Sequence, residues 1–245
     1  MSPRGPASAD RAPRKPSPPP GPSRGGRGGR GGRARHVVVT AGPTREHIDP
    51  VRYLSNESSG RMGFEIARAA AQRGFRVTLI SGPAHLETPK GVARLDVTSA
   101  RDMLVAARDA FRGADALFMA AAVADWRPAR RLAGKWRAKD GGRARARIDL
   151  VRNPDVLATL ARGKRGRLVV GFALETGNGE RRALAKLRRK GLDYIVLNDD
   201  SALNASRTTV SILGSDGSVR RLENRPKAAV ARVLEIGRAS CRERV

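Results

Sequence analysis

The sequence predicts an open, doubly wound α/β fold with a mainly parallel sheet and an antiparallel hairpin near its C-terminal end. Short apolar runs alternate along the chain with segments of helical periodicity, which is the order expected of strand–helix–strand units. The runs are continuously apolar, as is typical of strands that are buried on both faces of a parallel sheet. After Asn198 the pattern changes to one typical of an antiparallel hairpin.

Five apolar runs predict the parallel strands, because each is short, rich in Val, Ile, Leu and Phe, and bounded by Gly, Asp or Asn. In chain order they are HVVVTAG, FRVTLISG, ALFMAAAV, LVVGFAL and LDYIVLND. The later stretch TVSILGSDGSVRRL predicts a hairpin that turns at Ser215-Asp216-Gly217 and adds antiparallel edge strands to the sheet.

Four segments with apolar residues at positions i, i+3 and i+4 predict the helices between these strands. They begin at Ser or Asn caps, mostly end at Gly, and the first begins at about Arg61. In chain order they are GRMGFEIARAAAQRG, SARDMLVAARDAFRGA, NPDVLATLARG and NGERRALAKLRRKG. A further amphipathic segment, KAAVARVL, predicts a last helix that ends near Leu234.

The two ends of the chain are not expected to belong to the folded domain. Residues 1–35 predict a disordered basic tail, because they are mostly Pro, Ser, Gly and Arg with almost nothing apolar to bury. Its Arg-Gly-Gly repeats resemble RNA-binding segments, but no aromatic residue separates the arginines, which favours a linker or an over-extended translation start. Residues 235–245 (EIGRASCRERV) resemble the translation of a sequencing adapter, so the folded domain is expected to span residues 36–234.

The formal net charge of +26 is shared between the tail and the domain. The tail has nine Lys or Arg against Asp10 alone, and residues 36–234 keep a charge of +17. Such a charge is common in nucleic-acid-binding proteins, but Arg outnumbers Lys, which equally indicates an arginine-rich composition or anionic ligands. We therefore do not expect a nucleic-acid partner for the domain.

Several protein classes are excluded by what the chain lacks. It contains no apolar run long enough to cross a bilayer and no hydrophobic N-terminal stretch of a secretory signal, which predicts a cytoplasmic protein without a membrane partner. Its single cysteine, Cys241, excludes a disulfide framework and a cysteine-based metal site.

The first predicted strand ends in a glycine-containing turn, TAGPT at 40–44, at the edge where doubly wound folds bind their ligands. The dinucleotide fingerprint G-x-G-x-x-G is absent, and the long segment REHIDPVRYLSNESSG precedes the first helix instead. Within it, Ser58, Gly60 and, just beyond, Gly63 supply hydroxyl and amide groups at a helix N-terminus, which suits phosphate oxygens. Long ordered loops are usually functional, and this one also carries the polar Asn56.

A second candidate region, AAAVADWRP at 120–128, follows the third predicted strand. Small side chains at the carboxyl end of a central strand let a ligand approach the backbone, and Asp125 could accept hydrogen bonds from it. The basic segment 134–139 is expected to be a mobile loop from which Lys135 could reach a triphosphate. Taken alone, Asp125 would equally fit a helix cap and the basic segment a solvated run of charges.

The chain closely resembles phosphopantothenoylcysteine synthetase, the phosphopantothenate–cysteine ligase family of coenzyme A biosynthesis. The resemblance runs from about His36 to Leu222 and rests on six features in order: TAGPTREHIDPVRYLSNESSGRMG, AAAVADWRP, Lys135, VRNPDVL, VVGFALET and LDYIVLND. The motif SNxSSGxxG after GPTRExIDPVR is not a general feature of Rossmann-like folds. In bacteria this domain usually follows a flavin-dependent decarboxylase domain, and the basic tail stands in its place here, so we expect synthetase activity alone, with any decarboxylase a separate partner.

The resemblance implies a two-step ligation of 4′-phosphopantothenate and L-cysteine. The carboxylate of phosphopantothenate attacks the α-phosphate of CTP, which gives an acyl-cytidylate and pyrophosphate, and the cysteine amine then displaces CMP. CTP is thus a co-substrate, and Mg²⁺ would neutralise its triphosphate. Because the sites of this family draw on two subunits, the resemblance also implies a homodimer, and it leaves the choice between CTP and ATP open.

The resemblance also implies roles for individual residues. Asn56 matches the asparagine that handles the acyl-nucleotide, and Lys135 matches the mobile-loop lysine that acts on the triphosphate. The phosphate-binding turn matches at Gly42, Ser58, Gly60 and Gly63. The nucleotide site matches at Asp125, Asn153, Pro154, Asp155, Val156, Phe172, Lys186 and Lys190, while Ala121 and Ala122 line the acid-binding side. The two last lysines are four residues apart and fall on one helical face, so both can point at one anion.

The chain departs from the family pattern in two places. Trp136, Arg137 and Ala138 follow Lys135 where further lysines are frequent, and His47 stands where proline is common. Arginine keeps the charge with a different geometry and Ala138 removes one cation, so a catalytically inactive relative stays an alternative. Two others are an RNA-binding protein that uses the Arg-Gly-Gly tail and an NAD-type oxidoreductase, against which the missing fingerprint counts.

Overall fold

A computed structural model of the chain describes residues 35–137, 147–174, 179–198 and 206–236, without the side chains of residues 235 and 236. All of these residues lie in the second of the two units into which the chain divides, 33–245. The predicted basic tail up to residue 34, Ala138 and the end of the chain from residue 237 lie outside the described residues.

Strands and helices alternate along the described residues, as the sequence predicts. The strands are β1 (His36–Ala41), β2 (Arg45–His47), β3 (Tyr53–Ser55), β4 (Arg76–Ser81), β5 (Val92–Asp96), β6 (Ala116–Met119), β7 (Trp126–Pro128), β8 (Leu150–Arg152), β9 (Leu168–Leu174), β10 (Tyr194–Asn198), β11 (Arg207–Gly214) and β12 (Val219–Pro226). The helices are α1 (Arg61–Gln72), α2 (Ala100–Phe111), α3 (Val156–Arg162), α4 (Gly179–Lys190) and α5 (Lys227–Ile236). None of these helices is long and apolar enough to cross a membrane.

Eight of the strands form one sheet in the order β12-β11-β10-β9-β6-β1-β4-β5. The six strands from β10 to β5 are parallel, and β11 and β12 continue the sheet in antiparallel pairing beyond β10. The predicted mainly parallel, doubly wound sheet with a C-terminal antiparallel hairpin is therefore confirmed. The hairpin turns between Gly214 and Val219, where the sequence predicts it.

Both faces of the sheet are buried, which explains why the runs that form the central strands are continuously apolar. Along β1 the side chains alternate between two cores: Val38 packs with the residues of α2, α3 and α4, whereas Val37 and Val39 pack with those of α1 and α5. Two further hairpins, β2–β3 and β7–β8, lie outside the main sheet. The sequence did not predict them, nor the edge strand β5.

The helix starts agree with the sequence only in part. Ser99 caps α2 as expected, in a capping box with Asp102. The cap of α1 is Gly60 rather than a serine, and the cap of α3 is Asp155 rather than Asn153. Asn153 is not free to cap the helix, because its side-chain amide donates to the carbonyl of Ala124 at 2.8 Å. The residues before α4 lie outside the described part of the chain.

Candidate functional site

The segments that follow β1 and β6 run side by side beyond the carboxyl edge of the sheet. The backbone N–H of Ala122 donates to Gly42 O at 2.9 Å, and the N–H of Thr44 donates back to Ala122 O at 3.2 Å. The hydroxyl of Thr44 also accepts the N–H of Ala124 at 2.9 Å. These bonds fix two predicted regions, the glycine-containing turn and the alanine-rich segment, against each other.

Two glycines allow a close crossing of the segments that follow β1 and β4. Gly42 has φ of 73°, and a Cβ on it would lie 2.9 Å from the carbonyl oxygen of Gly82. A Cβ on Gly82 would lie 1.8 Å from the carbonyl oxygen of Pro43, which no side chain could tolerate. Gly82 was not among the predicted residues. It follows Ser81 at the end of β4, just as Gly42 follows Ala41 at the end of β1.

The N-terminus of α1 lies against this crossing and presents uncapped amide groups. Gly60 is the cap residue, no side chain caps the helix, and its first turn contains no acidic residue. Ser58 Oγ accepts the N–H of Gly60 at 3.3 Å. The amides of the first turn and the positive end of the helix dipole are therefore suited to an anion. Gly63 lies in the same turn, but packing explains its missing side chain, since a Cβ there would lie 2.5 Å from that of Ala41.

A cavity of about 430 Å³ opens at the carboxyl ends of β6 and β9. It brings together nine of the predicted residues: Ala121, Asp125, Asn153, Pro154, Asp155, Val156, Phe172, Lys186 and Lys190. Six residues that the sequence did not single out complete the wall: Met119, Val123, Ala124, Trp126, Arg152 and Leu157. All six are close neighbours in sequence of predicted ones. Gly42, Asn56, Ser58, Gly60, Gly63, Ala122 and Lys135 do not line this cavity.

Two lysines of α4 reach the cavity wall from one face of the helix, as their spacing predicts. Lys190 Nζ lies 2.8 Å from Asp155 Oδ2 and 2.9 Å from Oδ1. Lys186 Nζ donates to the carbonyl of Phe172 at 2.8 Å. Partial burial raises the pKa of Asp155, but the hydrogen bond from Lys190 and the backbone N–H of Ala158 outweigh it and hold the pKa below its ordinary value. The cavity therefore contains an ionised carboxylate that is already paired with a lysine.

Asn153 also contributes to the wall of the cavity. Its backbone N–H donates to Asp125 O at 2.8 Å and its side chain to Ala124 O at 2.8 Å, which ties the start of the NPDV segment to the segment after β6. The carboxylate of Asp125 is exposed and has no hydrogen bond or ion pair with any residue that the structure describes. It is therefore available to a ligand.

Asn56 lies at the rim of the cavity rather than in its wall. Its Nδ2 donates to Ala122 O at 3.4 Å and to Val123 O at 3.3 Å, and Val123 lines the cavity. The neighbouring Ser55 Oγ donates to Thr44 O at 2.8 Å and so fixes the end of β3. The two carbonyls orient the carboxamide, and its oxygen accepts no hydrogen bond from the part of the chain that the structure describes.

Lys135 is exposed, and the residue after it is fixed to a buried carboxylate. The backbone N–H of Trp136 donates to Asp49 Oδ2 at 3.0 Å. Burial raises the pKa of Asp49, but hydrogen bonds from three backbone N–H groups and the charge of Arg52 outweigh it and hold the pKa below its ordinary value. Asp49 was not predicted, because nothing in its local sequence shows that a distant segment would pack on it.

Metal binding by protein groups alone is not indicated within the part of the chain that the structure describes. No group of three or more His, Cys, Asp or Glu residues there could hold a metal ion. Mg²⁺ in nucleotide sites takes most of its ligands from phosphate and water. Asp125 and Asp155 both line the cavity, and the carboxylate of Asp125 is the one of the two that is not paired with a lysine among the described residues.

Fold and site together define a doubly wound α/β protein with an anion-suited helix N-terminus and a lysine-containing cavity at the carboxyl edge of its sheet. Residues 33–236 match the family described as DNA/pantothenate metabolism flavoprotein C-terminal domain, and the chain belongs to this family.

Similar proteins are found both by sequence and by structure. The chain is 44% identical over 193 residues to the coenzyme A biosynthesis bifunctional protein CoaBC of Bacillus subtilis, covering 77% of this chain and 47% of the relative. It is also 44% identical over 187 residues to the protein of the same name from Escherichia coli K12, covering 74% and 46%. The chain thus spans about half the length of these relatives.

Among solved structures, the C-terminal domain of a CoaBC protein superimposes with a TM-score of 0.73 at 38% identity, covering 85% of this chain and 96% of that domain. A Cab2 mutant in complex with phosphopantothenate-cysteine gives a TM-score of 0.66 at 16% identity, covering 83% of this chain and 86% of that one. At this low identity, the second likeness supports the fold alone.

Proposed function

We propose that this chain is a phosphopantothenate–cysteine ligase, which joins 4′-phosphopantothenate to L-cysteine at the expense of CTP. Support comes from its family membership and from its similarity, at 38% identity, to the C-terminal domain of CoaBC over nearly the whole of that domain. The observation on which the proposal mainly rests is the carboxamide of Asn56, fixed by two carbonyls at the rim of the cavity that contains Lys186 and Lys190.

In the first step, a carboxylate oxygen of phosphopantothenate attacks the α-phosphorus of CTP, and pyrophosphate leaves. Lys186 and Lys190, which both line the cavity, would hold the anionic nucleotide, and Asp155 would share Lys190 with a phosphate oxygen. Mg²⁺, when bound with the triphosphate, neutralises its charge. Lys135 would add a cation from outside the cavity, since its side chain is exposed.

In the second step, the cysteine amine attacks the acyl carbon of the acyl-cytidylate, loses a proton and displaces CMP. We assign Asn56 to this step, because its Nδ2 is held at 3.3 and 3.4 Å from two carbonyl oxygens while its Oδ1 accepts no hydrogen bond from the described residues. The acid-binding side would lie along Ala121 and Ala122, whose small side chains let a substrate approach the backbone. The amides at the start of α1, next to Gly42 and Gly60, suit a phosphate group.

The proposal is tested by supplying the full chain with phosphopantothenate, cysteine and either CTP or ATP, and by measuring pyrophosphate release. We expect turnover with all three substrates and a single burst of pyrophosphate when cysteine is omitted, because the acyl-nucleotide then accumulates. Binding of CTP and of NAD⁺, measured in parallel, distinguishes the ligase from the oxidoreductase alternative, because the ligase should bind CTP and not NAD⁺. The absence of pyrophosphate release with both nucleotides would refute the proposed ligase activity.

A further inference from the structure

A fully buried carboxylate, Asp49, lies in the turn between β2 and β3, and the proposed reaction does not use it. Its two oxygens have different partners. Oδ1 accepts the backbone N–H groups of Val51 and Arg52, each at 2.7 Å, and so closes the local turn. An uncharged asparagine could supply the same acceptor, so these bonds do not explain why a charged group is buried here.

The second oxygen binds a segment 87 residues away in the chain. Oδ2 accepts the backbone N–H of Trp136 at 3.0 Å and the guanidinium of Arg52 at 3.0 Å. The same guanidinium nitrogen donates to the backbone carbonyl of Trp136. One ion pair therefore holds both backbone polar groups of the residue that follows Lys135.

The chain is also fixed on the other side of Lys135. The backbone N–H of Leu132 donates to the carbonyl of Ile48, one residue before Asp49, at 2.8 Å. Residues 132 and 136 are thus both attached to the turn that contains Asp49, and Lys135 lies between the two attachments with its side chain exposed. The N–H that Asp49 accepts belongs to the peptide bond between Lys135 and Trp136, so this bond fixes the plane of that peptide.

We propose that Asp49 is a positioning residue for Lys135, which it holds in place through the Trp136 peptide together with Arg52. The catalytic consequence rests on the proposed ligase function, but the contact itself does not. A buried carboxylate that serves only to close its own turn would need Oδ1 alone. The second oxygen, Oδ2, instead accepts the N–H of the distant Trp136. This contact distinguishes the proposed role from a purely local structural one.

The contact is tested without substrates by Asp49→Asn, which keeps an acceptor for the local turn and removes the charged one. Amide hydrogen exchange of the full chain should be at least about tenfold faster at Trp136 in the variant, since a hydrogen bond to a charged acceptor is lost. Exchange at Val51 should change little. Unchanged exchange at Trp136, or an equal increase at both amides, would overturn the proposal.

A matched control is Asp216→Asn in the β11–β12 turn. Asp216 Oδ1 also closes a local turn, by accepting the N–H of Ser218 at 3.0 Å, and no hydrogen bond or ion pair joins it to the described residues 132–137. This variant should leave exchange at Trp136 and the rate of the pyrophosphate burst as in the wild type. If exchange at Trp136 became equally fast in both variants, or the pyrophosphate burst equally slow, the effect would belong to any aspartate that closes a turn.

The catalytic consequence is tested with a double-mutant cycle on the pyrophosphate burst. Asp49→Asn and Lys135→Gln should each slow the burst about tenfold or more, and the double variant should be no slower than Lys135→Gln alone, because both changes act through one lysine. If the fold-losses in burst rate of the two single variants multiplied in the double variant, Asp49 would act independently of Lys135. A wild-type chain without any burst would refute the ligase function, while the exchange experiment still decides whether Asp49 holds Trp136.

Discussion

The carboxamide of Asn56 is oriented by two carbonyl oxygens that it reaches with one nitrogen. Replacing Asn56 by Asp would place a carboxylate oxygen against Ala122 O and Val123 O, so the side chain would turn away. We therefore expect Asn56→Asp to slow the capture of the acyl-cytidylate by cysteine, so that this intermediate accumulates. The amount of acyl-cytidylate is measured by mass spectrometry of quenched reactions, together with the release of pyrophosphate.

The matched control for this substitution is Asn224→Asp. Asn224 lies on β12, away from the cavity, and has a positive φ of 44° that Asp also tolerates. It should leave the amount of intermediate unchanged. Normal turnover of Asn56→Asp, with no more acyl-cytidylate than in the wild type, would remove Asn56 from the second step.

The ion pair between Asp155 and Lys190 predicts a pH-dependent contribution to stability. The folded-state pKa of Asp155 lies below its ordinary value of 3.8, so the pair stabilises the fold above that value and is lost as the pH falls through the lowered folded pKa. Asp155→Asn should therefore be less stable than the wild type at neutral pH, and the difference should disappear in acid. Urea unfolding at several pH values measures it.

A control for the acid effect is Asp109→Asn on α2. Asp109 is exposed, and its arginine partners lie at 3.7 and 4.0 Å, so its pairing is weak. Its difference from the wild type should stay small throughout this pH range. If the Asp155→Asn difference grew as the pH fell, the sign of the pKa shift would be wrong.

At the scale of the elements, the buried part of the sheet was predictable and its periphery was not. β1, β4, β6, β9 and β10 are buried on both faces, so their sequences are continuously apolar and easily recognised. β5 pairs only with β4 at the sheet edge and can carry the Arg94–Asp96 pair, which interrupts any apolar run. The two outer hairpins have strands of three residues each, too short for a periodic pattern.

The candidate site shows the same division. Spacing on one helix predicted that Lys186 and Lys190 share a face, because helical geometry is local. The contact of Asp49 with Trp136 depends on the folding back of a segment 87 residues away, which no local pattern shows. The change of cap from Asn153 to Asp155 also follows from a distant contact, the bond of Asn153 to Ala124.

The outer hairpins expose large apolar side chains and predict the surface of the expected homodimer. Tyr53 on β3 and Leu150 on β8 are 42% and 43% exposed, and Val51 and Val151 are exposed as well. We expect a second copy of the chain to cover this surface, so Leu150→Lys should shift the dimer toward monomer. Sedimentation velocity measures the shift.

Val219→Lys is the matched control for the dimer surface. Val219 is also an exposed apolar strand residue, 63% accessible, but it lies on β12 at the far edge of the main sheet. This variant should keep the dimer. A wild-type chain that is monomeric and fully active would contradict both the dimer and the expectation that the site draws on two subunits.

At the scale of the whole molecule, the candidate site is assembled from segments that follow β1, β6 and β9 of the main sheet and from one that follows β8 outside it. The turn after β1, the segment after β6, the NPDV segment before α3 and the helix after β9 are distant in sequence and meet at one edge. The parallel sheet explains why the segments after β1, β6 and β9 meet, because the carboxyl ends of these strands point the same way. The fold class therefore predicts the sheet edge at which the candidate site lies, and the structure shows which side chains line the cavity there.

The net charge of +26 leads to a last prediction, about the tail and the domain separately. Binding of a polyanion driven by charge alone depends steeply on salt and on the number of cations that contact phosphate. We expect the full chain to bind RNA weakly at low salt and a variant without residues 1–35 to lose most of this binding, while its ligase turnover and melting temperature stay unchanged. Fluorescence anisotropy at two salt concentrations measures the binding.

An intact chain in which Arg24, Arg27, Arg30 and Arg33 are replaced by Ser separates the charge of the tail from its length. If the charge of the repeats is the cause, this variant should lose a large part of the RNA binding that the truncated chain loses, because both lack the four arginines of the Arg-Gly-Gly repeats. RNA binding that persists at physiological salt after truncation would instead assign it to the +17 of residues 36–234. If RNA binding were lost with the tail and pyrophosphate release were absent from the full chain as well, the RNA-binding alternative would replace the ligase proposal.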